Sequence, residues 1–290
     1  MDALAAASPT PNMEAVLHSR DLLDVVFAYQ DGWYKEQLEL IVSLQLRGLD
    51  HLVRSAQEQP MPSIDVVAAI LEPWIAAHGL PAVRRAMRDM ANLGCMLFLY
   101  CAYRNDAALL ASLHKTTLLS PFDQRRLVHA AATHGAIDVM AFLSTHAYEG
   151  FSADTMDVAA GAGHLHVVQY LAKHRSDGCT TRAMDQAIFH GHTDINEWLY
   201  AHRTEGCSHS GLLFAAKRGN DRLVRRLVSD GRMRLLGSEI IHAARYGHLD
   251  LVTFLAASTS ACHLQRAQDA AMFMGHTAVA QFLTTRLAVH

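Results

Sequence analysis

The 290-residue sequence lacks the features by which membrane and secreted proteins are usually recognised. No apolar run reaches the roughly 18 residues that a membrane helix needs, so we expect no membrane segment. The first dozen residues lack the basic region and long apolar core of a signal peptide. Five cysteines are an odd number in a chain too large to depend on disulfides, which is typical of a reducing compartment. We therefore expect a cytoplasmic or nuclear protein.

The sequence also lacks a strong charge of one sign and the short motifs of common enzymes. Its net charge of −3 does not indicate bulk affinity for nucleic acid. No GxSxG, HExxH, glycine-rich phosphate loop or paired CxxC motif occurs in it. A nucleophile, a base and an oxyanion donor cannot be assigned together, so we predict that the protein is not an enzyme and uses no cofactor.

The sequence does contain an internal repeat with a fixed interval of 28 residues. An alanine stands four residues before each repeated glycine, and apolar residues at +4, +7 and +8 form the stripe of an amphipathic helix. Glycine supplies the left-handed conformation that ends a helix and turns the chain. Each unit is therefore predicted to be a helix, a tight turn and a second antiparallel helix. The six turn glycines are Gly135, Gly163, Gly191, Gly219, Gly247 and Gly275.

Residues 159–168 and 243–252 carry a resemblance to a known family. Each segment has two alanines, two variable residues, a Gly-His pair and then an aliphatic helix. This pattern resembles the core of the ankyrin repeat, and it extends over 121–290 and more faintly back to about 93. The resemblance implies an all-α, ankyrin-like helical repeat solenoid, with six repeats in 121–290.

The repeats depart from the usual ankyrin pattern in length and in their opening residues. The usual unit has about 33 residues and opens with T-P-L-H. Here the unit has 28 residues, and that position reads Thr155-Met156-Asp157-Val158 in one repeat. Both helices are present, so we expect short loops in place of the β-hairpin between repeats. The repeats are similar to a short-repeat ankyrin subfamily.

The part of the chain that precedes the six repeats shows a weaker pattern. We predict a disordered lead at 1–12, a non-repeat helical region at 13–64 and degenerate repeats at 65–120. In the degenerate repeats, Asn105 stands where a turn glycine would be, and Gly79 precedes another apolar stripe. Residues 13–57 are predicted to cap the first repeat. The alternative is a substrate adaptor of a ubiquitin ligase, because Leu17–Tyr29 is similar to the opening helix of an F-box. At the other end, we expect the last apolar face to be covered thinly or by a partner.

Seven of the 19 histidines recur at two equivalent positions of the repeats, which indicates a structural role for them. One group directly follows the turn glycines and is predicted to hydrogen-bond turn backbone in the neighbouring unit. Zinc needs three or four converging ligands, so we predict no metal site. A second group lies just past the second helix, where it can stabilise helix-end carbonyls. The first group is His164, His192, His248 and His276, and the second is His146, His174 and His202.

Cys179 and Cys207 are also 28 residues apart, so they occupy equivalent positions in neighbouring repeats. Stacked helices lie about 8–10 Å apart, whereas a disulfide needs Cα atoms within about 7 Å. We therefore predict that these cysteines are not bridged.

The candidate functional surface consists of the residue pairs that precede the turn glycines. In ankyrin proteins partners commonly bind the concave face, and the resemblance places these pairs there. Aromatic residues and arginine at such positions are typical of interfaces, although a solvated helix end without a partner stays open. We predict a non-catalytic scaffold that binds a protein or peptide. The candidate residues are His134, Phe189, His190, Lys217, Arg218, Arg245, Tyr246, Phe273 and Met274.

The fourth repeat is unusually basic, with seven basic residues against two acidic ones between Lys217 and Arg234. One interpretation is a patch for an acidic peptide or a phosphate, and the other is a charged helix that faces solvent. Arg226 stands where other repeats carry an aromatic residue. We predict that its side chain extends to solvent or finds an acidic partner.

Overall fold

A computed structural model describes residues 37, 40, 64–89, 91–114 and 119–288. The described residues divide into two compact units, one up to Tyr100 with Ala108–Leu119 and the other of Cys101–Ala107 with the chain from Ser120 onward. The predicted disordered lead at 1–12 and the F-box-like helix lie outside the described residues. Within the predicted helical region 13–64, Gln37 and Leu40 are helical and buried.

Between residues 64 and 114 the chain forms the helices α1 (Ile64–Asp89), α2 (Ala91–Arg104) and α3 (Ala107–Leu113), which precede the repeats. Helix α1 is kinked at Gly79, where φ is 68° and ψ is −178°. Pro81 follows the kink, and its missing N–H removes one helical hydrogen bond. A turn in the chain therefore falls at the position of Gly79, as the sequence indicates.

The expectation that no segment is long and apolar enough for a membrane helix is wrong. Residues Asp65–Arg88 pass that test by length and composition, with a mean hydropathy of 1.5 over an 18-residue window. A search for apolar runs misses this segment because charged residues such as Glu72 interrupt it. One such helix is weak grounds for a membrane location, since core helices of soluble proteins meet the same criterion. Here 39% of the window is buried within the protein itself.

Six pairs of helices follow, and in each pair a short glycine turn joins the first helix to the second. No strand occurs in the described chain, which agrees with the predicted all-α repeat fold. The pairs are α4 (Pro121–Thr133) with α5 (Ile137–Thr145), α6 (Ala153–Gly161) with α7 (Leu165–His174), α8 (Thr181–His190) with α9 (Thr193–His202), α10 (His209–Arg218) with α11 (Asp221–Ser229), α12 (Ser238–Arg245) with α13 (Leu249–Ala256), and α14 (Ala261–Phe273) with α15 (Thr277–Leu287).

Residues that recur at equivalent positions of the repeats explain why each repeat forms a helix pair. All six turn glycines have φ between 68° and 88°, a range that side chains disfavour. Asn105 adopts φ 53° at the degenerate turn that the sequence indicates. The alanines before the glycines are fully buried, and the leucines at +8 are at most 3% exposed. Small alanine side chains let the first helices pack against one another more extensively than the second helices do.

Acidic side chains, of which Asp157 is buried and Asp185 half-buried, hold the connections between pairs, which are short loops as predicted. Asp157 accepts a hydrogen bond of 2.8 Å from the backbone N–H of Thr180. In the next repeat, Asp185 accepts one of 2.9 Å from the N–H of Ser208. Each carboxylate thereby satisfies a loop donor that would otherwise lack a partner inside the protein.

Candidate partner-binding groove

Four histidines hold neighbouring helix pairs together, as the sequence predicts. In each case the ring Nε2 donates to the carbonyl oxygen two residues before the turn glycine of the preceding pair. The same ring packs beneath that glycine, where a Cβ atom would collide with it. We call these contacts histidine junctions. The distances are 2.9 Å for His164 to Thr133, 3.2 Å for His192 to Gly161, 2.9 Å for His248 to Lys217 and 3.0 Å for His276 to Arg245.

One junction, between the α8–α9 pair and the α10–α11 pair, has no histidine. Asn220 follows the turn glycine there, and it caps α11 through a 3.2 Å bond from the N–H of Leu223. The guanidinium of Arg218 takes the histidine's place by donating to the carbonyl of Phe189. It also packs beneath Gly191, as the histidines do beneath their glycines.

Two further arginines reach across the same junction. The guanidinium carbon of Arg226 lies 4.0 Å from the ring centroid of Tyr200, and that of Arg232 lies 4.4 Å from it. Arg232 also donates to the Tyr200 carbonyl at 3.0 Å. The prediction that Arg226 extends to solvent or finds a carboxylate is therefore wrong, because the electron-rich face of a buried ring attracts the cation. We call the contacts of these three arginines the arginine junction.

Two of the three histidines at the ends of the second helices have the predicted carbonyl contacts. Nδ1 of His146 lies 2.9 Å from the carbonyl of Phe142, and Nδ1 of His202 lies 2.9 Å from that of Trp198. The sequence did not predict that both imidazoles also stack on the ring of the same partner, with centroids 3.9 and 4.5 Å apart. Both histidines thus contact a residue four positions earlier in the chain, at the end of their own helix.

The two phased cysteines are not bridged, as predicted. Burial raises the pKa of the Cys207 thiol to about 12 and that of Cys179 to about 11. Both thiols are therefore protonated at neutral pH, and they are poor nucleophiles and metal ligands in that form. Among the described residues, no cluster of three or more His, Cys, Asp or Glu side chains could hold a metal ion.

The ends of α8, α10 and α12 form a groove of about 380 Å³. We refer to it as the groove. Five of the predicted site residues line it because each lies at or just past the last turn of a first helix. Phe214, which the sequence analysis missed, completes the lining from within α10. The lining residues are Phe189, His190, Phe214, Lys217, Arg218 and Tyr246.

Aromatic rings form the apolar part of this groove. The rings of Phe189 and Phe214 meet edge to face with centroids 5.0 Å apart. The Lys217 ammonium lies 5.2 Å from the centroid of the Tyr246 ring. Phe189 remains 46% exposed and Tyr246 41% exposed. Both rings can therefore lose further solvent contact if a ligand covers them.

The other four predicted site residues do not line the groove. Arg245 is exposed at the end of α12, next to Tyr246. Phe273 and Met274 are 86% and 44% exposed at the end of α14, beside Met272, which the sequence analysis did not single out. His134 is exposed and packs edge to face on Tyr103, with centroids 5.3 Å apart.

The groove is positively charged. Within the described part of the chain, Lys217, Arg218 and Arg245 form no ion pair with a carboxylate. Burial, followed by the charges of Arg245 and Lys217, lowers the pKa of the nearby His242. The imidazole thus responds to a positive field at this end of α12.

The basic stretch 217–234 does not form one surface. Lys217 and Arg218 line the groove, whereas Arg222 and Arg225 lie on the following helix α11. Arg222 pairs with Glu197 at 2.8 Å, and Arg225 pairs with Asp221 at 2.7 Å. Carboxylates of the same chain thus pair with Arg222 and Arg225, whereas among the described residues none pairs with Lys217 or Arg218.

Comparison with known proteins supports the repeat interpretation. Residues 156–199 match the family model described as ankyrin repeats (many copies). The match begins in α6 and ends in α9, so it covers most of the second and third helix pairs. The chain matches no curated protein.

Proposed function

Because the chain is an ankyrin-repeat protein, and such repeats serve as protein–protein interaction modules, we propose that it is a scaffold that binds a protein or peptide in the groove. One observation supports this proposal above all. Five variable residues from three successive repeats line a single groove, and the rings of Phe189 and Tyr246 remain more than 40% exposed. Exposed aromatic residues beside cations are the residue types that dominate binding energies at interfaces.

The surrounding framework favours such a role because it holds the groove in one conformation. The groove residues lie at helix ends whose backbone carbonyls are held by the next repeat, through Arg218 on one side and His248 on the other. A surface that is already ordered loses less conformational entropy when it binds. Phe189 and Tyr246 then supply the apolar area that a ligand would cover.

Partner capture with a groove variant tests this proposal. Affinity purification with mass spectrometry would compare the native chain, the Phe189→Ala/Tyr246→Ala double variant and Phe122→Ala. Phe122 is a matched control because it is an aromatic residue that is 69% exposed and lies on α4, away from the groove. We expect specific prey to be lost from the double variant and kept by the control. The same prey with all three proteins would place the binding site elsewhere.

The ankyrin family is typically non-catalytic, and we propose that this chain has no enzymatic activity and works in the cytoplasm or nucleus. The adaptor alternative concerns residues 13–57, which lie outside the described residues apart from Gln37 and Leu40. Deletion of 13–57 tests it. Ligase components that copurify with the full chain and not with the deletion would favour the adaptor, and their absence from both would reject it.

A further inference from the structure

We infer that the groove takes an acidic peptide segment that carries an aromatic or aliphatic anchor residue. This inference rests on the proposed function and gives the chemical class of its partner. The anchor would contact Phe189, Phe214 and Tyr246, and the acidic residues would pair with Lys217 and Arg218.

The distribution of ion pairs supports an acidic ligand. Several arginines elsewhere in the repeats have a carboxylate at hand, as Arg182 has Asp154 at 3.5 Å and Arg222 has Glu197 at 2.8 Å. The cations of the groove have none among the described residues, and no carboxylate lines it. A ligand with carboxylates would therefore supply the negative charge that the lining of the groove lacks.

A neighbouring groove offers a contrast. It encloses about 500 Å³, and its lining includes Asp154, Asp157 and Arg182. Two carboxylates lie there with one guanidinium, and no phenyl or phenol ring lines this groove. Size alone does not distinguish the two grooves, whereas net charge and aromatic lining do.

The dimensions indicate a short extended segment. The lining residues come from three successive first helices, α8, α10 and α12. Adjacent packed helices lie about 8–10 Å apart, so two such steps span about 16–20 Å. An extended chain covers that distance with about five or six residues.

Selection from a random peptide library displayed on phage, with the full chain as bait, tests this inference. We expect the enriched peptides to be rich in Asp and Glu around an aromatic or aliphatic residue. Their synthetic, fluorescently labelled forms would then be titrated by anisotropy against the native chain, Lys217→Glu and Lys173→Glu. Lys173 is an exposed lysine on α7 and receives the same substitution as a control. We expect Lys217→Glu to weaken binding about tenfold or more, and Lys173→Glu to bind as the native chain does.

Three results would overturn the inference. Enriched peptides without an excess of acidic residues would contradict it, as would equal affinities for the two lysine variants. Displacement of the peptide by a single-stranded poly-dT oligonucleotide would assign the groove to nucleic acid instead.

The Phe189→Ala/Tyr246→Ala variant separates this inference from the proposed function. If that variant loses the peptide and Lys217→Glu keeps it, the groove binds peptides but not acidic ones. If neither variant loses the peptide, both proposals fail.

Discussion

The histidine junctions and the arginine junction solve the same packing problem with different side chains. In both, a donor from the following repeat reaches the carbonyl two residues before a turn glycine and packs beneath that glycine. A neutral histidine ring that donates through Nε2 uses its one N–H in this contact, and none of the four junction histidines lines the groove. Arg218 makes the contact and still lines the groove, because a guanidinium carries five N–H donors.

The arginine junction marks the place where the chain departs from the pattern of the other repeats. The helix pair α10–α11 and the turn after it contribute all three arginines of the arginine junction, and α10 supplies half of the groove lining. The arginine junction, which departs from the repeat pattern, thus borders the candidate binding surface, together with the histidine junction of His248. The histidine junctions hold the repeats together without adding charge to that surface.

The largest expected effect concerns the packing of a histidine ring beneath a turn glycine. Gly219 has φ 69°, and a Cβ atom there would lie 2.5 Å from Nδ1 of His248. Gly219→Ala combines left-handed strain with this collision, since the ring cannot move without losing its bond to the Lys217 carbonyl. We expect a loss of about 2–5 kcal/mol in the free energy of unfolding, measured by urea denaturation.

Gly231→Ala is the matched control for this substitution. Gly231 has φ 68°, but no atom lies within 4 Å of the position that a Cβ would take, so only the backbone strain of about 1–2 kcal/mol applies. Equal losses in the two variants would show that the histidine ring does not pack beneath the glycine as described.

The arginine junction is expected to depend on the contact between Arg226 and Tyr200. Arg226→Ala removes a cation from the face of a buried ring and should cost about 1–2 kcal/mol in urea denaturation. Arg222→Ala, on the same helix, removes an exposed ion pair with Glu197 and should cost at most about 1 kcal/mol. A larger loss for Arg222→Ala than for Arg226→Ala would contradict the assignment of Arg226 to the junction.

The smallest expected effect is a pH dependence that arises from His242. Its pKa in the folded chain is lower than its ordinary value of 6.5, so the unfolded chain binds a proton more readily. Its contribution to stability is therefore complete above pH 6.5 and is lost as the pH falls through the folded-state pKa. We expect His242→Gln to reduce the fall in unfolding free energy between neutral pH and about pH 5. Identical pH profiles for this variant and the native chain would contradict the pKa shift.

Residues that repeat with the 28-residue interval could be predicted from the sequence. The turn glycines, the buried alanines and leucines and the carbonyl contacts of His164 and its equivalents follow from local patterns that recur. The interval also pointed to five of the groove residues, because each precedes a turn glycine. Whether they bind a partner stays a prediction.

Contacts outside that interval could not be predicted. Phe214 lies one residue before a buried alanine, in a column where the other repeats carry no Phe, Tyr or Trp, so no repeated signal marks it. Arg218 and Arg226 adopt their roles because of what stands in the preceding repeat, a carbonyl at Phe189 and a ring at Tyr200. Such contacts between repeats depend on which residues lie close together in the fold, and not on residues that recur at equivalent positions.

The central claim is that Arg218 serves both the framework and the groove, whereas the junction histidines serve the framework alone. Arg218→Ala and His164→Ala would be compared for urea stability and for binding of the selected acidic peptides by anisotropy. We predict that both variants lose about 1–3 kcal/mol of unfolding free energy and that only Arg218→Ala loses peptide affinity. Equal peptide affinity in the two variants would contradict the claim.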